Sequence, residues 1–335
     1  MTEVHQRYSS IDAARTAAIF AVICIHTKPF DSALLIQACR FAVPFFFIAS
    51  GFFFGKQLEK GTPPATLFLR YFNRLGLVFL VWSLIYVLTP SPAAVNTGGL
   101  FKAIFWNMYS AFKLATAHPL TFIFQGTSFH LWFITALLSG LGAFAALYRF
   151  REGYLLYLFA LVLFLVGLLG GAYSALPIGY ATEGFNTRNG PFISLLCIVL
   201  GWHLARGTWR PQLGFALGIA SLGFALVQIE PIYLSMIGTA PDSSAMLIGD
   251  VLYGAGVFLL AMARPDFSRS TPLPWLGKKT LGIYVSHILF VSWLLPLRSL
   301  DSPAVEIALP CLVYTLSLIT TLILAKWPFT ARLVV

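Results

Sequence analysis

Ile11–His26 reads IDAARTAAIFAVICIH: an apolar helix with an acid and a guanidinium in its first turns and an imidazole near its far end. Arg15 and His26 are eleven residues apart. At about 100° per residue this is three turns plus roughly 20°, so both side chains lie on one face, with a rise of about 16 Å between them. Asp12, three residues before Arg15, shares that face. Taken singly, Arg15 would snorkel to headgroups and His26 would be a packing residue. Together, on one stripe of a membrane helix, a cation and an imidazole are too costly to be incidental.

The rest of the chain puts that helix in a membrane. The 335 residues are 58% hydrophobic and 10% charged, with mean hydropathy +0.82. Soluble domains carry about 25% charged residues. Apolar runs of helix length recur from end to end, which predicts an all-α polytopic membrane helical bundle forming a single domain over 1–335. The net charge of +10 belongs to the loops; no basic-aromatic module accompanies it, so no nucleic-acid partner is expected. Cys24, Cys39, Cys197 and Cys311 show no paired spacing, so neither a disulfide framework nor a metal site is expected. The first run carries Asp12 and Arg15 and lacks a small-residue cleavage pattern, so it reads as a retained helix, not a signal peptide.

The expected spans are about Ile11–His26, Arg40–Gly55, Leu75–Leu88, His130–Tyr148, Tyr154–Tyr173, Pro191–Ala205, Gln212–Val227, Ser244–Ala263, Thr280–Leu297 and Ala304–Ala325. Pro44 and Ser50-Gly51 are expected to break the second. Residues 98–118 are amphipathic and aromatic, and read as an interfacial helix or loop. With ten spans, 16 of the 22 Lys and Arg residues fall on the side of both termini and 6 on the other. The positive-inside bias predicts cytoplasmic termini. Arg15 then lies near the cytoplasmic surface and His26 in the outer half.

Other residues carry possible chemistry. Arg70 and Arg74, i and i+4 at the start of the third span, form a basic cluster with Lys56 and Lys60. That is ordinary topology or, because guanidinium forks match phosphate oxygens, a phosphate clamp. Ser50-Gly51 is a packing notch or a place where another backbone approaches. His130 and Trp132 stand at the outer mouth of the fourth span; Trp there anchors an interface or stacks a sugar. Tyr284 and His287 are i, i+3 on the ninth span. Asp250 is the carboxylate deepest in a span, at a depth that would meet His26. His203, near a helix C-terminus, suits the dipole.

Four segments in order, Arg15-x10-His26, FFFIASGFF, FHLWFITALL and GKKTLGIYVSH, resemble the acyltransferase-3 family of membrane acyltransferases. The compact chain is most similar to the type that O-acetylates enterobacterial common antigen. The resemblance covers nearly the whole chain. It implies a bacterial inner-membrane enzyme moving an acyl group, expected to be acetyl, from cytoplasmic acyl-CoA to a hydroxyl of a cell-surface or lipid-linked glycan. It hands the essential Arg–His pair to Arg15 and His26. Arg70 and Arg74 resemble the family's basic residues there, though the spacing differs from its usual adjacent pair. Residues and resemblance converge on one mechanism. Arg15, with Arg70 or Arg74, holds the coenzyme A phosphates, and His26 takes the acceptor proton or carries the acyl group. Asp250, His287 and Tyr284 are expected to assist, and Ser50, His130 and Trp132 to meet substrate. No G-x-S-x-G nucleophile motif competes with histidine. The rival reading is a transporter of lipid-linked glycan or a small anion, but no inverted repeat accompanies the ten spans.

A reporter fused, or a cysteine labelled, just after Ala325 should report the cytoplasm. A periplasmic signal would overturn the orientation and the side on which a donor enters.

Overall fold

Backbone amides and carbonyls have no water to bond in hydrocarbon, so a chain this apolar is restricted to helices or a closed barrel. The computed structural model describes residues 8–238 and 245–335, and every regular element in them is helical. Seven helices are long and apolar enough to cross a membrane, and three shorter apolar helices stand among them. These ten are α1 (Ser9–Thr27), α2 (Ala42–Glu59), α3 (Pro64–Leu88), α4 (Trp132–Leu147), α5 (Leu155–Leu169), α6 (Pro191–Ala205), α7 (Leu213–Met236), α8 (Ile248–Ala263), α9 (Thr280–Leu294) and α10 (Pro303–Leu324). They match the ten expected spans one for one. The expected start of the eighth at Ser244, like Arg7, lies outside the described residues.

Helix α1 is the hub, packing against α2, α8, α9 and α10. Its last turn ends at Lys28, which is left-handed at φ 47 and sends its N–H back to the Cys24 carbonyl. Around this hub α6 packs on α2, α4 and α5, and α7 packs on α8. The α2–α6 crossing depends on glycine. A Cβ at Gly51 would strike the Ile198 backbone, and one at Gly201 would strike the Ile48 carbonyl. Gly51 is therefore the point of close backbone approach. Likewise Gly277 lies on the Asp12 carbonyl, locking the segment before α9 onto the start of α1.

Three expectations need correction. Helix α2 is not broken; Pro44 is its third residue, where no intrahelical N–H is needed, and the helix runs on through Ser50-Gly51. Helix α7 runs past Val227 through Glu230 and Pro231 to Met236, and Glu230 is satisfied by the Gly249 amide at 3.1 Å. The third span starts earlier than the expected Leu75; α3 begins at Pro64 and carries Arg70 and Arg74 within it. The expected stretch 98–118 holds a helix, Leu100–Ala117, which buries only Ala103 and leaves Phe101, Phe105, Trp106 and Phe112 exposed.

Asp250 is corrected too. Its carboxylate accepts from Arg40 Nε and Nη2, each at 2.7 Å, and from the Leu247 amide at 2.8 Å, capping α8. Both oxygens are occupied, the side chain is 1% exposed, and it ties α8 to the segment before α2 rather than assisting His26. Breaking a buried ion pair from one side costs about 3–5 kcal/mol, because it strands the partner charge. Asp250→Asn should therefore lower the thermal midpoint in detergent markedly. The Arg40→Met, Asp250→Leu double variant should recover much of the loss. An unchanged midpoint in Asp250→Asn would remove the pair from the fold's supports.

Candidate active site

Arg15, on the second turn of α1, donates to Asp12 at 3.3 Å and to Thr280 Oγ1 at 3.1 Å. Thr280 passes its own proton to the Gly277 carbonyl at 3.0 Å. The guanidinium is thus aimed by one acid and one hydroxyl from α9. Arg70 and Arg74 are exposed on α3, and among the described residues neither makes an ion pair. All three arginines border one cavity of about 460 Å³, and among the described residues Asp12 is the one carboxylate in an ion pair with any of them. That end therefore carries a surplus of positive charge and forked donors.

The same cavity reaches His26, His130, Trp132 and Tyr284, with Ser50 on its wall. The stripe inferred on α1 is thus real space bounded by Arg15 at one end and His26 at the other. Three imidazoles gather at the far end. The His26 ring centroid is 5.3 Å from that of His287, and His287 is 5.2 Å from His130. His130 and His287 are almost fully buried. His287 Nδ1 stands 2.5 Å from the Tyr284 carbonyl. A carbonyl can only accept, so Nδ1 carries the proton and Nε2 keeps its lone pair. Among the described residues His287 Nε2 and His130 Nε2 have no hydrogen-bond partner. Buried polar atoms are normally satisfied, so these nitrogens are the ones prepared for a guest or a proton.

The expected roles divide accordingly. His287 lies at the centre of the cluster, against both His26 and His130, while His26 and His130 line the cavity. Tyr284 is a positioning residue, because its hydroxyl donates to the His130 carbonyl and its proton is committed there. Ser50 Oγ likewise donates to the Phe46 carbonyl at 2.8 Å. Trp132 lies near the histidines with the Arg188 guanidinium over its ring at 5.2 Å. Phe129, which the sequence did not single out, sets its edge against His26 at 5.3 Å and is itself half exposed. Thr280 was missed as well; a threonine opening a helix has no local mark of an arginine partner. His203, read as a helix-end residue, pairs with the Tyr157 hydroxyl at 2.8 Å and takes no part here.

The arrangement has a mouth lined by arginines, a passage, and a buried imidazole cluster about three helical turns away. Among the described residues the serine hydroxyl that meets the cluster is that of Ser128, 3.0 Å from His130 Nδ1, whereas the Tyr284 and Ser50 hydroxyls donate to backbone carbonyls. The chemistry available is proton transfer or covalent transfer at imidazole.

Comparison with known proteins bears on this directly. Two proteins of Enterococcus faecalis, each named amino-acid racemase, are similar to the chain. One is 28% identical over 226 residues, covering 60% of this chain and 28% of that protein. The other is 29% identical over 214 residues, covering 58% and 29%. The chain thus spans less than a third of the length of the curated relatives it matches. The narrower likeness to the enterobacterial common antigen type finds no support among these relatives. No solved structure matches. The acyltransferase-3 family, described as an acyltransferase domain, matches residues 8–327 and so takes in every residue of the site. An integral membrane helical bundle matched over almost its whole length, this chain belongs to the acyltransferase-3 family of acyltransferases.

Proposed function

We propose that the protein is a membrane O-acyltransferase taking an acetyl group from cytoplasmic acetyl-CoA to a hydroxyl of a lipid-linked or cell-surface glycan in a bacterial inner membrane. The observation that carries this is the single cavity with Arg15, Arg70 and Arg74 at one end and His26 among two further histidines at the other. Coenzyme A has the matching asymmetry: phosphates at one end and a thioester on a long thin arm. Forked guanidiniums suit the phosphates, and a narrow apolar passage suits the arm. The positive-inside bias supports the same polarity, with the arginine end and both termini in the cytoplasm.

At the far end His26 takes the proton of the acceptor hydroxyl as its oxygen bonds to the thioester carbon. The carbon–sulfur bond then breaks, its electron pair leaves on sulfur, and the sulfur takes up the proton from His26. In the covalent version His26 displaces the thiolate first and passes the acyl group on. A trapped acyl-histidine after mixing with donor alone would distinguish the two. Racemisation is not carried over from the Enterococcus relatives, because less than a third of each is matched.

The decisive assay gives reconstituted protein labelled acetyl-CoA and lipid-linked glycan. An acyltransferase turns thioester over repeatedly only with acceptor present, with at most one equivalent consumed by donor alone; a transporter of glycan or anion leaves it intact. His26→Ala should reduce transfer by about 10²–10⁴ with donor binding retained. Transfer at the wild-type rate by folded His26→Ala would defeat the mechanism.

At the other end, Arg15→Ala should weaken acetyl-CoA binding more than Arg15→Lys, since lysine keeps the charge and loses the fork. Loss of a charged hydrogen bond, about 1.5–3 kcal/mol, corresponds to roughly ten- to over a hundred-fold in Kd. Unchanged binding in Arg15→Ala would leave Arg15 as a partner of Asp12 and Thr280 alone.

A further inference from the structure

A second space, of about 660 Å³, shares no lining residue with the arginine–histidine cavity. It opens between α6 and α7. These helices are consecutive in the chain, yet α6 packs on α2, α4 and α5, while α7 packs on α8. Leu200 and Leu204 of α6 and Ala255 and Leu259 of α8 wall the gap, and the fully buried Ile48 of α2 floors it. Its depth follows from helix geometry. Ile48 is eleven residues from the end of α2, and Ala255 is eight from the end of α8. At about 1.5 Å per residue these are roughly 16 and 12 Å. Half of a bilayer's hydrocarbon core is about 15 Å. The gap is therefore about one leaflet deep and apolar along its length, and a membrane offers acyl chains to fill it.

The mouth is different in kind. Arg206, the residue that follows α6, borders it together with His203, Trp209 and Phe215. The Trp209 and Phe215 rings meet edge to face at 6.3 Å, and both are half exposed. Aromatic rings so placed suit the boundary between membrane and water. The Arg206 guanidinium lies 4.8 Å over the ring of the buried Trp202, which holds it at the mouth. A helix end alone accounts for a cation there, but not for the gap that opens beside it. Arg206 pairs at 3.4 Å with Glu152, an exposed acid that Arg151 also holds, at 3.0 Å. One acid for two guanidiniums leaves positive charge at the mouth, and Arg210 adds to it four residues on. No acid at the mouth is left over for the ammonium of a zwitterionic headgroup.

We propose that the gap between α6 and α7 is a binding site for one anionic phospholipid, drawn from the leaflet on the Arg206 side. An acyl chain lies against Ile48, Leu200 and Leu259, and the phosphate is held by Arg206. Guanidinium forks match phosphate oxygens, and basic pockets between membrane helices recognise anionic headgroups in this way. The apolar walls supply burial of the chain, and the charge at the mouth supplies the choice of head. The lipid in turn fills a space that the helices leave open, and so joins α6 to the α7–α8 pair. The inference stands apart from the transfer reaction, since no residue of the arginine–histidine cavity takes part.

The test is native mass spectrometry of the full chain in detergent, titrated with phosphatidylglycerol or with phosphatidylcholine of the same chains. The expected result is one tightly retained phosphatidylglycerol per chain, with phosphatidylcholine at least about tenfold weaker. R206Q should weaken phosphatidylglycerol about tenfold, the lower end for a lost charged hydrogen bond. L204W, which fills the gap, should weaken both lipids. K326Q removes the same charge from an exposed site beyond α10 and should bind as the wild type does. Equal retention of the two lipids overturns the inference, and so does wild-type binding by R206Q. A loss in K326Q as large as that in R206Q also overturns it, by reducing the attraction to general surface charge. Displacement of the lipid by glycerol phosphate overturns it too, by making this a phosphate site without a chain. If L204W does not fold, R206Q, at an exposed helix end, still decides.

Discussion

A guanidinium and an imidazole eleven residues apart on one helix are the constraint on which the site depends. Helix α1 is held on several sides by α2, α8, α9 and α10, so it does not rotate or slide freely. Its Arg15 face is fixed at one end by Asp12 and Thr280. Its His26 end is fixed by the rings of Phe129 and His287. The neighbours then have only to leave a gap along that stripe. They do so with side chains from α2, α3, α4 and α9. Elsewhere glycines at the α2–α6 crossing let the backbones close up, so the cavity is a local exception in a tightly packed bundle.

Much of this was legible from residue order, for physical reasons. Membrane spans announce themselves by length and apolarity, and seven helices long enough to cross, with three shorter apolar ones, stand where ten runs were read. The α1 stripe was legible because helical phase is a fixed angle per residue. Arg70, Arg74, Ser50, His130, Trp132 and Tyr284 border the same cavity, though nothing in their spacing along the chain brings α3, α4 and α9 together. Asp250 was misread because a buried carboxylate looks the same in sequence whether its partner is a catalytic histidine or an arginine 210 residues away. Pro44 was misread as a break because the chain does not show where a helix begins, and a proline in the first turn does no harm. Arg206 was passed over for the converse reason. Charge counting sees a loop cation, whereas only the fold shows the gap that it borders.

The histidine end also explains why the bundle tolerates polar groups at such depth. Each ring has other rings for neighbours: His130 touches Tyr86 and Tyr284, and His287 touches Tyr284. Such edges and faces pack like hydrocarbon while keeping nitrogen lone pairs within reach of a guest. Phe129 adds a further ring against His26.

Helix α9 has a consequence of its own. Thr280, Tyr284 and His287 fall on one of its faces, and they touch respectively Arg15, the His130 carbonyl and the His26 cluster. One rigid rod is therefore in contact with both ends of the cavity. An anion that draws Arg15 away from Thr280 loosens the rod where it is tethered, and any tilt that follows is carried to the imidazoles without an intermediate relay. By linkage the effect runs equally in reverse: whatever settles among the histidines alters the grip at the arginines by the same free energy. The two ends of the cavity thus share one helix, so a displacement of α9 at one end would be carried to the other.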